Sequence, residues 1–297
     1  MLLGSHVSIA GSLAKPFEDA KAIGCDAVQM FVKPPRKLRG VKDLTDEQIQ
    51  VWSDARKGSA VKAIVVHANY LINLAPAGHT GEYSRAALLD EMKRCHQLGI
   101  GTLILHPGKC LGEPVEKGLA NIAKGLQWCL TKGREYDDVT ILLETMAGQG
   151  TEVGHDFAHL RAIIEQVAQP ERFGACLDTC HAFQAGYELR TSEGYRDTMA
   201  KLDAAVGLSN VKAFHLNDAQ KSLGERVDRH AAIGKGKLGG RGFQQLLQDP
   251  RWRTTPGVLE TPHEDLAGFA ADLRKLRKLE KEPFADKPLP GQRKLAS

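Results

Sequence analysis

Residues 62–67 read KAIVVH, a short run of apolar, largely β-branched residues that ends on a potential metal ligand. Five later runs have the same form and also end on His, Asp or Glu: TLILH (102–106), TILLE (140–144), GACLD (174–178), VKAFH (211–215) and GVLE (257–260). Each run has the length and the continuous hydrophobicity of a buried parallel strand. A closed parallel barrel gathers the carboxyl ends of its strands at one mouth, so the six runs predict a cluster of ligands there.

Two further apolar segments, LLGSHVSI (2–9) and AVQMFV (27–32), bring the number of predicted strands to eight. Helical periodicity separates and follows these strands at residues 11–23, 46–57, 82–98, 115–131, 157–168, 192–206, 242–248 and 265–280. Strict alternation of strand and helix predicts the α/β class and a single-domain (β/α)8 TIM barrel. We assign residues 1–281 to this barrel. Residues 282–297 contain three prolines and no periodicity, and we expect them to form a flexible basic C-terminal tail.

The composition is that of a globular protein, with 42% hydrophobic and 26% charged residues in a chain of 297. No segment reaches the roughly 20 apolar residues of a membrane span, and the amino terminus lacks the features of a secretory signal. The six cysteines are scattered in apolar segments, so we expect reduced, buried thiols. These features predict a cytoplasmic protein that does not bind membranes. No apolar helix face demands a partner subunit, so we expect a monomer.

The net charge of +4 includes two basic segments, KPPRKLRGVK (33–42) after the second strand and GKGKLGGRG (234–242) after the seventh. Solvated loops are often basic without a function. Both segments, however, are predicted on the same side of the barrel as the ligands, which favours a polyanionic substrate.

Two short motifs add ligands to those at the strand ends. Asp178-Thr-Cys-His181 places a histidine just after the sixth strand, and Asp228-Arg-His230 can turn two ligands inward from a later loop. The nine candidates are His67, His106, Glu144, Asp178, His181, His215, Asp228, His230 and Glu260. Imidazole-rich sites with some carboxylate favour zinc or manganese, and nine ligands exceed the needs of one tetrahedral ion. We therefore expect two or three ions, an arrangement suited to phosphoester hydrolysis.

Eight segments match the motifs of a known family in the same order: GSHVSIAG, VVHANYLINLA, LHPG, LLETMAGQG, LDTCHAFQAGY, FHLND, DRHAAIGKGKLGG and LETP. On these segments, which run from residue 2 to about 262, the chain resembles the endonuclease IV family of apurinic/apyrimidinic endonucleases. The resemblance implies a TIM barrel with three zinc ions, with manganese as the alternative at one or more sites. It also implies cleavage of duplex DNA on the 5′ side of abasic sites, which leaves a 3′-hydroxyl and a 5′-deoxyribose phosphate. Removal of 3′-blocking groups and association with the nucleoid through DNA are expected as well.

The same resemblance implies how the ligands are shared. It predicts three sets: His67, His106 and Glu144 for one ion; Glu144, Asp178, His215 and Glu260 for a second; His181, Asp228 and His230 for the third. Glu144 would bridge two ions with a nucleophilic hydroxide between them, and Glu260 would orient that hydroxide, which makes these two the expected catalytic residues. The third ion would stabilise the leaving 3′-oxygen.

An abasic site offers no base edge to read, so recognition must depend on bending the duplex and inserting side chains into the stack. In the family, an arginine after the second strand and a tyrosine–leucine pair after the third do this, and they correspond here to Arg36, Tyr70 and Leu71. The first of these loops departs from the family pattern, with two prolines and extra basic residues, so Arg39 is an alternative to Arg36. Tyr70 could also be an ordinary loop aromatic on the barrel rim. The expected phosphate contacts are Lys235, Lys237 and Arg241.

Two other functions are alternatives to this one. A metal-dependent sugar isomerase or epimerase can use a similar barrel, but such sites generally have fewer ligands around one or two ions and lack the Asp-x-His loop and the basic segments. A nucleic-acid-binding protein with purely structural metals is disfavoured, because structural zinc sites are closed and usually rich in sulfur.

Overall fold

The structure is a computed structural model that describes residues 1–284; residues 285–297, most of the predicted tail, lie outside the described part. Eight parallel strands form a closed barrel: β1 (Leu2–His6), β2 (Ala27–Met30), β3 (Ala63–His67), β4 (Thr102–Leu105), β5 (Thr140–Glu144), β6 (Phe173–Asp178), β7 (Val211–His215) and β8 (Pro256–Leu259). Every strand pairs with its neighbours in sequence, and β8 closes the barrel against β1. The predicted single-domain TIM barrel is confirmed.

Nine α-helices accompany the strands in the described part of the chain: α1 (Lys15–Ile23), α2 (Asp46–Lys57), α3 (His79–Gln97), α4 (Val115–Lys132), α5 (Phe157–Ile164), α6 (Thr179–Gln184), α7 (Ser192–Val206), α8 (Gly239–Gln248) and α9 (Leu266–Lys281). Within residues 1–284, no helix is long and apolar enough to cross a membrane. Eight of the helices correspond to the predicted ones. The helix α2 begins at the expected capping box, in which the Thr45 and Gln48 side chains each bond the other residue's backbone N–H.

The ends of some elements differ from the prediction. The first strand stops at His6 rather than residue 9, and α5 stops at Ile164 rather than 168 because a short turn and then Pro170 follow it. The helix α6 was not predicted. It starts directly from β6 because the Asp178 carboxylate accepts a hydrogen bond from the His181 N–H at 2.8 Å and caps the helix.

A small cluster fills the barrel interior and is separate from the larger core between the strands and the helices. It consists of Val65, Ile104, Leu142, Cys176 and Ala213, all at most 2% exposed. Each member stands two residues before one of the candidate ligands on the same chain segment. Side chains two residues apart in a strand point to the same face, so the ligands continue this interior row toward the carboxyl ends of the strands. The apolar cluster therefore forms a dry base beneath the candidate site.

Candidate metal centre

The candidate ligands meet at the carboxyl ends of the strands in three overlapping groups. In each group the potential ligand atoms all lie within 4.8 Å of one another. The groups are His67, His106 and Glu144; Glu144, Asp178, His215 and Glu260; and Asp178, His181 and His230. Glu144 and Asp178 each belong to two groups, so the three groups form one continuous cluster, which we call the ligand cluster together with Asp228.

Asp228 lies beside the third group. Its Oδ1 is 3.2 Å from His181 Nε2 and 3.5 Å from His230 Nε2. Asp178 Oδ2 is somewhat farther from His230 Nε2, at 3.8 Å. The third group can therefore draw on two carboxylates, one from a strand end and one from the loop after β7. Gln149 helps to place that loop, because its Oε1 accepts a hydrogen bond from the Asp228 N–H at 2.9 Å.

Three of the histidine rings are oriented by backbone carbonyls. The Nδ1 atoms of His67, His181 and His230 donate to the carbonyls of Ala68, Thr145 and Glu260 at 2.6, 2.9 and 3.2 Å. These bonds leave each Nε2 facing the ligand cluster. Hydrogen bonding of the second ring nitrogen is the usual way in which proteins orient a metal-binding histidine.

Four buried atoms in the ligand cluster make no hydrogen bond within residues 1–284. They are His67 Nε2, His181 Nε2, His230 Nε2 and Glu144 Oε2. A buried polar atom without a partner costs free energy, and the great majority of such atoms in proteins are satisfied. Nitrogen and carboxylate atoms that are left unsatisfied and face one another fit divalent cations of the zinc type.

The His215 ring has the opposite orientation, with its Nδ1 rather than its Nε2 facing the cluster carboxylates. Its hydrogen-bond partner, Gln29, is not among the residues predicted from the sequence. The His215 Nε2 donates to Gln29 Oε1 at 2.8 Å, and its Nδ1 lies 3.0 Å from Glu144 Oε1 and 3.3 Å from Glu260 Oε2. The Gln29 amide also donates to Glu260 Oε1 at 2.6 Å and lies 3.0 Å from His6 Nδ1. Gln29 therefore fixes two candidate ligands at once and contacts His6, whose Nδ1 also lies 4.0 Å from Glu260 Oε1. The signal in the sequence was a single amide within the apolar run AVQMFV.

Asn217 is a second residue that was missed. Its Nδ2 donates to Asp178 Oδ2 at 2.6 Å, and its Oδ1 accepts from the Glu260 N–H at 2.9 Å. It stands two residues after His215, which places it on the same face of the chain as that ligand. Period-two spacing was thus the signal that could have identified it.

The electrostatics of the cluster keep Glu144 and Glu260 ionised. Burial raises the pKa of Glu144, but attraction to the rings of His215 and His106 outweighs burial and holds the pKa well below its usual value. For Glu260, burial again raises the pKa, whereas His215 and His67 lower it, and the result is a pKa of about 2. Both residues therefore offer negative oxygen atoms at neutral pH.

Tyr70 and Leu71 stand at the edge of the mouth, with 54% and 50% of their surface exposed. The Tyr70 ring centroid lies 5.1 Å from those of Phe31 and His67 and 6.1 Å from that of His106. The ring thus packs on the rim and on two ligand rings while much of its surface remains open to solvent.

The two arginines of the loop after β2 differ in their surroundings. Arg36 is exposed and makes no side-chain hydrogen bond or ion pair with residues 1–284. The guanidinium of Arg39 stacks on the Tyr83 ring, 3.8 Å from its centroid, and so is engaged with α3. Arg36 is therefore the arginine whose side chain can reach a ligand without breaking a contact.

The basic segment after β7 is shaped by a buried carboxylate. Asp218 accepts four backbone hydrogen bonds, from the N–H groups of Ala219, Gly236, Leu238 and Gly239 at 2.8, 3.0, 3.1 and 3.0 Å. A Cβ on Gly236 would lie 2.3 Å from the Ala219 carbonyl oxygen, so only glycine fits this close approach. The segment is a folded loop rather than a solvated strand of basic residues.

The three candidate phosphate contacts of this segment have different exposures. Lys235 and Lys237 are exposed on the loop that Asp218 holds. Arg241 is half-buried at the start of α8, with its guanidinium 5.9 Å from the Phe284 ring centroid. The lysines are therefore more available to a ligand at the mouth than Arg241.

Comparison with known proteins agrees with this geometry. A family model described as a xylose isomerase-like TIM barrel matches residues 17–279. A relative from Chloroflexus aurantiacus, named "Probable endonuclease 4", is 45% identical over 278 residues, which cover 93% of this chain and 97% of the relative. The crystal structure of endonuclease IV from Thermus thermophilus is similar with a TM-score of 0.83 and 34% identity, covering 94% of this chain and 98% of that one.

A solved D-tagatose 3-epimerase-like protein also resembles the chain, with a TM-score of 0.73, but at 20% identity over 94% of this chain and 97% of that one it shows a likeness of fold alone. The relatives above 30% identity span nearly the whole chain and carry the endonuclease name. The chain therefore belongs to the endonuclease IV family of apurinic/apyrimidinic endonucleases, which are hydrolytic nucleases of DNA repair.

Proposed function

We propose that this protein hydrolyses the phosphodiester on the 5′ side of abasic sites in duplex DNA, leaving a 3′-hydroxyl and a 5′-deoxyribose phosphate. We extend the proposal to the removal of 3′-blocking groups, because this reaction also hydrolyses a phosphodiester, at the end of a strand. The observation that carries it is a cluster of nine candidate ligand residues at the base of a mouth whose edge bears an exposed tyrosine and basic loops. We further propose that the protein is monomeric and acts in the cytoplasm on nucleoid DNA.

The ligand cluster would hold three divalent cations, with zinc as the expected metal and manganese as the alternative. The proposed sets are His67, His106 and Glu144; Glu144, Asp178, His215 and Glu260; and His181, Asp228 and His230. Support comes from the unsatisfied Nε2 atoms and from the nitrogen and oxygen donors that suit zinc. When bound, such closely spaced cations lower the pKa of a water and stabilise charge on the attacking and leaving oxygens.

Glu144 and Glu260 are the proposed catalytic residues. In hydrolysis, a water oxygen bonds to phosphorus, the bond from phosphorus to the 3′-oxygen breaks, and that oxygen finally carries a proton. Glu260 accepts a hydrogen bond from the attacking water and orients it, since its low pKa keeps it ionised and Gln29 fixes its Oε1. Glu144, at the centre of the cluster, joins the first two ligand sets.

Recognition is assigned to the rim. Arg36, Tyr70 and Leu71 would enter the stack at the abasic site, where unstacking costs least. Because Tyr70 packs on His67, insertion of Tyr70 would bring the damaged strand next to the ligand cluster. Lys235, Lys237 and Arg241 would contact phosphates along the backbone.

The sugar isomerase or epimerase alternative shares the fold but not these features. Its support is the structural likeness to an epimerase-like protein at 20% identity, which carries fold information only. The ligand cluster also contains no cysteine, which disfavours a purely structural zinc site.

The proposal is tested by metal analysis together with an incision assay. We expect about three zinc ions per chain and cleavage of an abasic duplex at nanomolar enzyme, with an intact duplex left uncut. Removing the metal with a chelator should abolish cleavage, and added zinc or manganese should restore it. Interconversion of ketose and aldose sugars by a protein that leaves abasic DNA intact would establish the alternative instead.

A further inference from the structure

A buried ion pair lies beneath the two loops that we assign to stack insertion. Lys33, which follows β2, and Glu91 on α3 are 2% and 1% exposed, and Lys33 Nζ lies 3.3 Å from Glu91 Oε1. Lys33 Nζ also lies 3.0 Å from Asp90 Oδ2 and donates to the Ala87 carbonyl at 3.2 Å. Burial raises the pKa of Glu91 to about 7 even though Lys33 lowers it, so the carboxylate is strongly desolvated.

Glu91 connects this pair to the loop after β3. Its two carboxylate oxygens accept from the Asn69 N–H at 3.1 and 3.3 Å. Asn69 immediately precedes Tyr70, and its Oδ1 accepts from the Leu71 N–H at 3.0 Å. The backbone that carries the proposed insertion pair is thus anchored to α3 through one carboxylate.

Asn69 then reaches across to the other loop. Its Nδ2 donates to the carbonyls of Pro34 and Lys37 at 3.1 and 3.4 Å, on either side of Arg36. A third tie comes from Arg94 on α3, which donates to the Lys42 carbonyl at 2.8 Å farther along the same loop. The two loops therefore bond to each other and to one helix.

Stability alone does not account for this arrangement. A buried ion pair is a weak stabiliser, because desolvation offsets much of the Coulomb attraction, and apolar side chains of similar volume often serve as well. What a satisfied polar network does supply is a single geometry, since each alternative arrangement leaves a buried charge or N–H without a partner. Here the geometry that it fixes is the separation of Arg36 from Tyr70 and Leu71.

We propose that the Lys33–Glu91–Asn69 network is a positioning device for abasic-site recognition, which holds the loop of Arg36 and the loop of Tyr70 and Leu71 at the spacing needed to enter the stack together. Glu91 is a positioning residue, because it acts through Asn69 and belongs to none of the ligand groups. This inference rests on the proposed function and adds to it the residues that set the recognition geometry.

The test compares two phosphodiesters in the Glu91→Gln variant. One is an abasic duplex with 2-aminopurine opposite the lesion, whose fluorescence reports unstacking; the other is bis(p-nitrophenyl) phosphate, which has no stack to enter. We expect the KM for the abasic duplex to rise roughly 10-fold and the fluorescence change to shrink, since small misplacements cost about this much or more. Hydrolysis of the small diester, kcat at saturating DNA and zinc content should stay as in the wild type.

Asp249→Asn is the matched control, because it alters a largely buried, ion-paired carboxylate that precedes β8 at the opposite end of the barrel. It should leave the KM for both substrates unchanged. If Glu91→Gln folds poorly, as judged by Tm, Asn69→Ala gives the same test, since it removes the bonds between the loops and keeps the pair of Lys33 and Glu91.

The inference would be overturned if the variant that folds loses activity equally on both substrates, or keeps full activity on both. A wild-type protein that hydrolyses the small diester but leaves the abasic duplex intact would overturn the proposed function itself, which is a different result.

Discussion

The base and the rim of the mouth are built in different ways. At the base, five of the nine candidate ligands are buried and the other four are half-buried, and all lie at strand ends or in the segments that follow them. Backbone carbonyls fix three of the histidine rings, and the Gln29 amide fixes that of His215. At the rim, all the proposed recognition residues except the half-buried Arg241 are exposed and stand on loops, and they depend on a few side chains such as Glu91 and Asp218 for their positions. The barrel strands thus place most of the candidate ligands, whereas contacts outside the barrel place the proposed recognition residues. Changes at the base should alter the rate of hydrolysis, and changes at the rim should alter DNA binding.

The largest effect is expected from Glu260→Gln at the base. Loss of the carboxylate that orients the attacking water should lower kcat for abasic-duplex incision by roughly 10²–10⁴-fold, the usual contribution of a base in this position. Stopped-flow incision measured beside zinc content and duplex affinity would check this. Glu264→Gln, an exposed glutamate of the same loop, is the control and should change kcat little. Near-normal turnover with full metal content would remove Glu260 from the mechanism.

A smaller effect at the base is expected from Gln29→Ala. The variant loses the bonds that orient His215 and Glu260, and loss of such a partner typically costs about 10–100-fold in metal affinity or activity. Zinc retention against a competing chelator would measure it. An unchanged zinc affinity together with unchanged incision would show that Gln29 only fills space inside the barrel.

At the rim, Tyr70→Ala should weaken binding to the abasic duplex by about 1–3 kcal/mol, the range found for stacking of a base on an aromatic ring. Affinity for intact duplex should change far less, because that duplex offers no gap to enter. Fluorescence anisotropy on both duplexes checks the difference, with Tyr136→Ala on the far side of the barrel as control. Equal weakening on both duplexes would make Tyr70 a packing residue.

The smallest effect is expected from Lys235→Ala. Loss of one phosphate contact should weaken binding to abasic and intact duplexes alike, and should reduce the slope of log affinity against log salt by about 0.9. Lys132→Ala, an exposed lysine at the end of α4, should leave the slope unchanged. A loss confined to the abasic duplex would instead assign Lys235 to lesion recognition.

The contrast between base and rim also explains what the sequence could predict. The strands were predictable because parallel strands buried on both faces give continuous apolar runs, as at KAIVV and TILL. Six of the nine candidate ligands could be named from the sequence because they end such runs, and the other three come from the two short motifs. The helix α6 and the partners Gln29 and Asn217 were not predicted, since each depends on a single polar side chain whose role appears only after the strands are side by side. The contacts of Glu91 and Asp218 could not be predicted at all, because no local sequence pattern indicates which loop backbone a buried carboxylate will bind.

The order in which the barrel strands are synthesised determines when the ligand cluster can form. The strand that closes the barrel, β8, is immediately followed by Glu260, and within residues 1–284 it is the last barrel strand to be synthesised. A growing polypeptide that has reached residue 240 carries seven barrel strands and eight of the nine candidate ligands, but it has no closed barrel to hold them together. The ligand cluster is therefore incomplete until β8 and Glu260 have been synthesised, so a chain that stops before them lacks both the closed barrel and one of the two proposed catalytic residues.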